Sequence, residues 1–365
     1  MSKDVTRRLS DLKNRRSGAL YTRDGFYVSA SSLSEKFESR SSGQWAKYAL
    51  GIMQEVDPTY TANSVAEGER VKSQITKGVS TNVVFEYQGS VPLNVHIRGV
   101  SDIDILVLLA YYVTIDPNGS RAGSADYSDW TGPSGSVQLA KLRGELETTL
   151  KAAFPAVEVD TSGDKAIGLS GGSLSRKVDV VPSHWHDTAM YQITKNKKDR
   201  EVKVLQKSTG TTFTNRPFKH IEEVNQKDLR TGGGAKKVIR MLKNLKADSD
   251  NPSSILVNSY EIAGIVYHFE NMPISVPVYN ELALVASTKI QLQRFIDNKY
   301  WSMGLDTPDG IRKIIDSEAK FNSLKLLQAE VTELAKNLAI ELTSRNWIDE
   351  AEAIRALERS YVSEY

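Results

Sequence analysis

The spacing of apolar residues changes along this chain, and each change marks a different kind of element. Between Gln44 and about Lys77 the period is helical. Tyr48, Ile52 and Val56 fall on one face, Val65, Val71 and Ile75 on the face of a second helix, and Asp57-Pro58 separates the two. The pattern then shortens. Val83, Val84, Phe85 and Tyr87 lead into Gly89-Ser90, and residues 103–108 read as a buried strand. Gly- and Ser-rich residues 116–136 predict a long surface loop, followed by a helix over 137–153. Short strands are expected at 157–159, 166–169 and 178–181. Beyond about 235 the period is helical again, with Val238, Leu242 and Leu245 on one helix, Ile255, Ile262 and Phe269 on a second, and residues 282–296 on a third. Asp306, Thr307 and Pro308 read as the start of a fourth. A mixed α/β half followed by a helical half predicts two lobes, with the boundary near the Thr-Gly-Gly-Gly run at 231–234.

Composition narrows the function classes. The 365 residues suffice for a sizeable core, and no apolar run approaches the ~20 residues of a bilayer span. With no secretory signal in the first residues, a cytoplasmic protein with no membrane partner is expected. There is no cysteine, which excludes disulfides, a thiol nucleophile and thiolate zinc sites. Forty-seven Lys+Arg against 45 Asp+Glu leave a net charge of +2, too little to point to an obligate DNA duplex partner. The basic excess is local: residues 1–16 carry six Lys/Arg and two Asp, and the polar segment 1–43 reads as a mobile tail or surface helix.

The candidate chemistry lies in three aspartates. Asp102 and Asp104 flank Ile103, so on a strand both project from one face while Ile103 and Ile105 enter the core. Two carboxylates about 7 Å apart beside buried strand residues repel one another, and a divalent cation relieves that conflict. An all-oxygen ligand set suits Mg²⁺. A third acid, Asp179, sits between Val178 and Val180 and shares its face with Lys177 and Val181. A salt bridge to Lys177 is the plainer alternative for it. Asp-x-Asp alone is commonly a solvated strand end; the weight comes from Gly89-Ser90, eleven intervening residues, the acid pair and the later acid-bearing strand together.

That combination resembles the polymerase-beta-type nucleotidyltransferase superfamily, with Gln88 standing where a hydrophobic residue is usual. Further stretches resemble the bacterial cGAS/DncV-like nucleotidyltransferases, which make cyclic oligonucleotide second messengers in anti-phage signalling. These are Gly99-Val100-Ser101 before the acid pair, Val178 to Pro182, Asn215-Arg216-Pro217 with His220, the basic helix from Lys236 to Lys243, and Asn258-Ser259 with Glu261. The resemblance runs from about residue 44 to about 320. It implies an α+β fold, with a polymerase-beta-like catalytic lobe (44–230), a C-terminal helical nucleotide-binding lobe (231–365) and an active site in the cleft between them.

It also implies roles. Asp102, Asp104 and Asp179 would bind two Mg²⁺ (or Mn²⁺) and catalyse in-line attack of a ribose hydroxyl on an α-phosphate, releasing pyrophosphate. Gly89, Ser90, Lys243 and Ser259 would hold the triphosphate of an NTP, ATP and GTP among the candidates. Lys236 and Arg240 read equally well as a solvated helix face. Tyr260 and Tyr267 are weaker candidates for base stacking, and His184 with His186 lack a third ligand for a metal. A regulatory protein partner fits the family. The alternative is transfer of a single nucleotide to an RNA end, an antibiotic or a protein.

Overall fold

A computed structural model describes residues 4–17, 20–21, 27–28, 36–97, 99–127 and 130–364. The chain begins with α1 (Val5–Ser17), β1 (Leu20–Tyr21), β2 (Tyr27–Val28), α2 (Lys36–Ser39), α3 (Gln44–Met53) and α4 (Pro58–Gly78). Next come β3 (Val83–Gln88), β4 (Ile103–Ile115), α5 (Gly135–Ala153), β5 (Glu158–Asp160), β6 (Ile167–Ser170) and β7 (Val178–Asp187). After α6 (Ala189–Thr194), β8 (Glu201–Gln206) and β9 (Thr211–Asn215), the chain is helical. It continues through α7 (Pro217–Arg230), α8 (Gly234–Ala247), α9 (Ser259–Tyr267) and α10 (Ala283–Asp297). The last helices are α11 (Lys299–Gly304), α12 (Glu318–Thr343) and α13 (Glu350–Glu358).

Two compact units emerge, and neither is a single stretch of chain. Residues 57–93 and 101–222 form one; residues 1–56, 94–100 and 223–365 form the other. This differs from the expected division at 231–234. The Thr-Gly-Gly-Gly run lies inside the helical unit as a packed corner, with Thr231 buried and its hydroxyl accepting from the Ala235 N–H at 3.0 Å. A side chain at Gly234 would run into the Ile274 carbonyl, so glycine is needed there for close approach.

In the sheet unit, seven strands run in the order β3-β4-β7-β6-β5, with β8 also paired to β7 and β9 to β8. The β4–β7 pair is parallel; the other pairs are antiparallel. Alternation along β4 supplies both cores. Ile103, Ile105, Val107 and Leu109 pack with Val71 and Ile75 of α4 and Leu142 and Leu146 of α5. Leu106 and Leu108 turn the other way, to Val181, Trp185, Val202 and Val204. The expected break at Asp57-Pro58 is the start of α4: Asp57 caps it by accepting from Thr59 and Tyr60 N–H, with Pro58 in the first turn.

The β8–β9 hairpin escaped the sequence reading. Its signal is the alternation of Glu201, Val202, Lys203 and Val204 before a Ser-Thr-Gly turn.

In the helical unit, α3 is almost wholly buried, and α8 and α12 pack on it. Basic α1 is held as a helix rather than a loose tail. Leu12 is buried, Arg8 donates to Glu330 at 2.7 Å and to the Tyr48 hydroxyl at 3.2 Å, and Arg15 pairs with Asp248. The expectation of a mobile segment for residues 1–3, 18–19, 22–26 and 29–35 lies outside the described residues. The helix expected to begin at Asp306 is absent. Asp306 bridges Lys313 across a turn containing Gly310 at φ +74°, and α12 begins after Ser317, whose hydroxyl accepts from the Lys320 N–H.

Candidate active site

Strand register decides where the three acids sit. Asp104 on β4 lies directly beside Asp179 on β7, and Ile103 beside Val178. Because neighbouring residues in register share a face, both carboxylates project from the side opposite the Ile103 and Ile105 core. Asp102 precedes β4 by one residue and shares the face of Asp104. The Ile103 N–H donates to the Lys177 carbonyl at 3.1 Å, which extends the ladder to the level of Asp102. One corner of the sheet unit therefore carries all three predicted acids.

A cation already stands there. Lys177 Nζ lies 2.9 Å from Asp102 Oδ2 and 3.8 Å from Asp179 Oδ1. The hydrogen bond to Asp102 raises the Lys177 pKa. The Asp179 pKa is also raised: burial is the main cause, the Asp102 charge adds to it, and Lys177 opposes it. A desolvated carboxylate beside a second one binds a proton or a cation readily.

The turn after β3 closes the corner. Gln88 pairs in register with Asp104, and Gly89 follows at φ +79°, where a Cβ would collide with Asp104 Oδ2. Only glycine satisfies both the conformation and the close approach. Ser90 is half-buried in the same turn. Polar Gln88 has a partner of its own, accepting from Asn215 Nδ2 at 3.3 Å.

The donor set fits a divalent metal. It is all carboxylate oxygen, Asp179 is short of solvation, and an ammonium group serves as the stand-in cation. As they stand, no three Asp, Glu or His side chains among the described residues surround one point. Lys177 bridges two of the acids instead.

Lys243, Ser259, Tyr260 and Tyr267 belong to the helical unit. Lys243 is 4% exposed and donates to the Val95 carbonyl at 2.7 Å, so its ammonium is directed to backbone. Ser259 is exposed at the start of α9. The first N–H groups of that helix are satisfied by the Asn258–Glu261 capping box, which leaves the Ser259 hydroxyl out of the cap. Tyr260 bonds Asp309 and Tyr267 bonds Glu223 at 3.1 Å. The histidines have structural surroundings. His184 is buried against Tyr112, its pKa pushed down to about 4 by burial, and His186 Nδ1 lies 2.9 Å from the Thr114 hydroxyl.

Residues 222–337 match the cGAS/DncV-like nucleotidyltransferase C-terminal helical domain. Over 315 residues the chain is 38% identical to the cyclic dinucleotide synthase CdnE of Yersinia aleksiciae, spanning 86% of this chain and 82% of that one. The chain belongs to the cGAS/DncV-like nucleotidyltransferases.

Another member, the c-di-GMP synthase of Capnocytophaga granulosa, is 31% identical over 317 residues, or 80% of this chain and 87% of that one. A solved structure of a STING-associated CdnE c-di-GMP synthase from Capnocytophaga granulosa is similar at a TM-score of 0.71 and 28% identity. The match covers 91% of this chain and 97% of that one. The α+β architecture with a helical C-terminal part is thus that of cGAS/DncV-like nucleotidyltransferases, and the reaction class is cyclic nucleotide synthesis. No helix among the described residues is long and apolar enough to cross a membrane.

Proposed function

We propose that this cGAS/DncV-like nucleotidyltransferase joins two nucleoside triphosphates into a cyclic dinucleotide at the Asp102, Asp104 and Asp179 corner, with GTP as the first substrate to test. The observation that carries the site is the side-by-side register of Asp104 and Asp179 beneath Gly89. GTP comes first because two relatives, from Lachnospiraceae and Capnocytophaga, are c-di-GMP synthases.

In each of two rounds a ribose hydroxyl attacks an α-phosphorus. A phosphorus–oxygen bond forms, the bond to the β-phosphate oxygen breaks, and pyrophosphate leaves. Asp102, Asp104 and Asp179 would hold Mg²⁺, or Mn²⁺ in its place, whose charge offsets that of the phosphates when bound. Asp179 would orient the attacking hydroxyl or accept its proton. Lys177 gives up Asp102 before the acids load. The turn at Gly89-Ser90 approaches the triphosphate through backbone N–H and the serine hydroxyl. Ser259 offers a second hydroxyl, and Lys243 contributes once it releases Val95.

The test is incubation with labelled NTPs and Mg²⁺, phosphatase treatment and chromatography, omitting one NTP at a time. A phosphatase-resistant product that needs only GTP, and is lost in the Asp102→Asn/Asp104→Asn double variant, supports the reading. A product needing other bases overturns the choice of GTP. Label transferred only to an added RNA, drug or protein acceptor replaces cyclisation with single-nucleotide transfer.

A further inference from the structure

The helical unit contains a cavity of about 300 Å³ that has no part in the chemistry above. It is lined by none of the three acids, nor by Gly89, Ser90, Lys243 or Ser259. Its size reaches the lower range of small-molecule sites. Four cations reach it: Arg40, Lys236, Lys237 and Arg240. The acids on the same wall already have partners. Glu281 pairs with Arg40 and, at 2.9 Å, with Lys237. Asp228 accepts from the Lys236 N–H at 2.8 Å in the first turn of α8. Glu55 accepts from the Asn94 amide at 2.7 Å.

Arg240 differs from the others. The residue is 6% exposed, and its hydrogen bonds go to neutral acceptors: Nε donates to the Met53 carbonyl and Nη1 to the Asn94 carbonyl, each at 2.8 Å. Nη2 has no hydrogen-bond partner among the described residues. Burial pushes the Arg240 pKa down to about 10, against the opposing pull of Glu55, Asp228 and Glu281. Lys236 is only loosely held, its ammonium 4.0 Å from Asp228. A buried guanidinium with Nη2 to spare and a loosely paired ammonium, bordering the same cavity, form a receptor for an oxyanion.

We infer that this cavity binds a small phosphate-bearing anion through Arg240 and Lys236, separately from the acid site. The site needs no divalent metal, because fixed cations supply the charge. The phosphate could arrive as free pyrophosphate or on a nucleotide, and the chemistry at Arg240 is the same for both.

The experiment is calorimetric titration of the full-length protein with inorganic pyrophosphate and, separately, GMP, in EDTA so that no divalent cation is present. Saturable one-site binding should persist in the Asp102→Asn/Asp104→Asn variant and weaken about tenfold or more in Lys236→Gln and in Arg240→Lys, the loss expected for a charge-assisted bond. Arg240→Lys keeps the charge but removes Nη2. Lys236→Gln removes a partly exposed rim charge, so it reads the site even if the arginine variant is poorly folded. Tighter binding of GMP assigns the site to a nucleotide, and tighter binding of pyrophosphate to the free anion. Absence of saturable binding by either probe at millimolar concentration overturns the inference, as does binding lost in the aspartate double variant and untouched by Lys236→Gln. These outcomes are independent of whether the chain makes a cyclic dinucleotide.

Discussion

The acid corner of the sheet unit and the basic helix α8 of the helical unit carry charge in opposite ways. At the acid corner, strand register brings like charges together, and Asp179 among them is desolvated. On α8, Arg240 and Lys243 are at least as deeply buried, and they donate to backbone carbonyls of Met53, Asn94 and Val95. The first arrangement is unfavourable until a cation arrives; in the second, hydrogen bonds to backbone brace neighbouring segments, even where Arg240 keeps Nη2 for a ligand. Burial alone therefore does not mark a reactive charge. What the charge faces does.

The sharpest test of that contrast is Asp179→Asn, which keeps the shape and removes the charge. Turnover should fall about a thousandfold or more, some 4 kcal/mol, while the melting temperature holds or rises because a desolvated charge has gone. A drop in melting temperature with activity retained would place Asp179 among the braces. Arg8→Ala should show the opposite profile. It removes a charge-assisted hydrogen bond to buried Glu330, costs about 2 kcal/mol of stability in denaturant titration, and leaves the turnover of folded enzyme near that of the parent.

Gly89→Ala pushes a methyl toward Asp104, so turnover should fall about a hundredfold from sub-ångström misplacement, read as kcat on protein of verified fold. Lys177→Met is the smallest change. With no ammonium to displace, Mn²⁺ affinity without nucleotide, read by electron paramagnetic resonance, should rise about tenfold, or 1.4 kcal/mol. The gain should shrink as pH falls, because Asp179 loses the neighbour that holds its raised pKa down, and protons then compete earlier for the carboxylate. Weaker Mn²⁺ binding in this variant would make Lys177 a support of the site rather than its placeholder.

The same contrast explains what was legible in the sequence. Strand alternation is binary, so placing Ile103 and Ile105 inward fixed the side of Asp102 and Asp104, and Val178 and Val180 did the same for Asp179. Helix faces are less decisive for long cations. Lys236, Arg240 and Lys243 lie on one stripe, yet a flexible stem let two of them bury and reach carbonyls that no local pattern announces. The same holds for Arg8 and Arg15, whose partners Glu330 and Asp248 lie more than 200 residues away in sequence. At Asp306 the capping signal was real but local. The turn through Gly310 and the hydrogen bond from the Thr307 hydroxyl to Asp309 took the residues that would have opened a helix.

The discontinuity of the helical unit has a practical consequence for anyone who cuts or grafts this enzyme. The part matched as a family domain, residues 222–337, lacks α3 and the 94–97 segment that Arg240, Lys243 and Asn244 grip. A fragment beginning there would bare apolar α8 and α12 surface to water and leave three buried polar side chains without their acceptors. Exchange of this domain between relatives should therefore carry residues 1–56, 94–100 and 223–365 together, rather than residues 222–337 as a cassette.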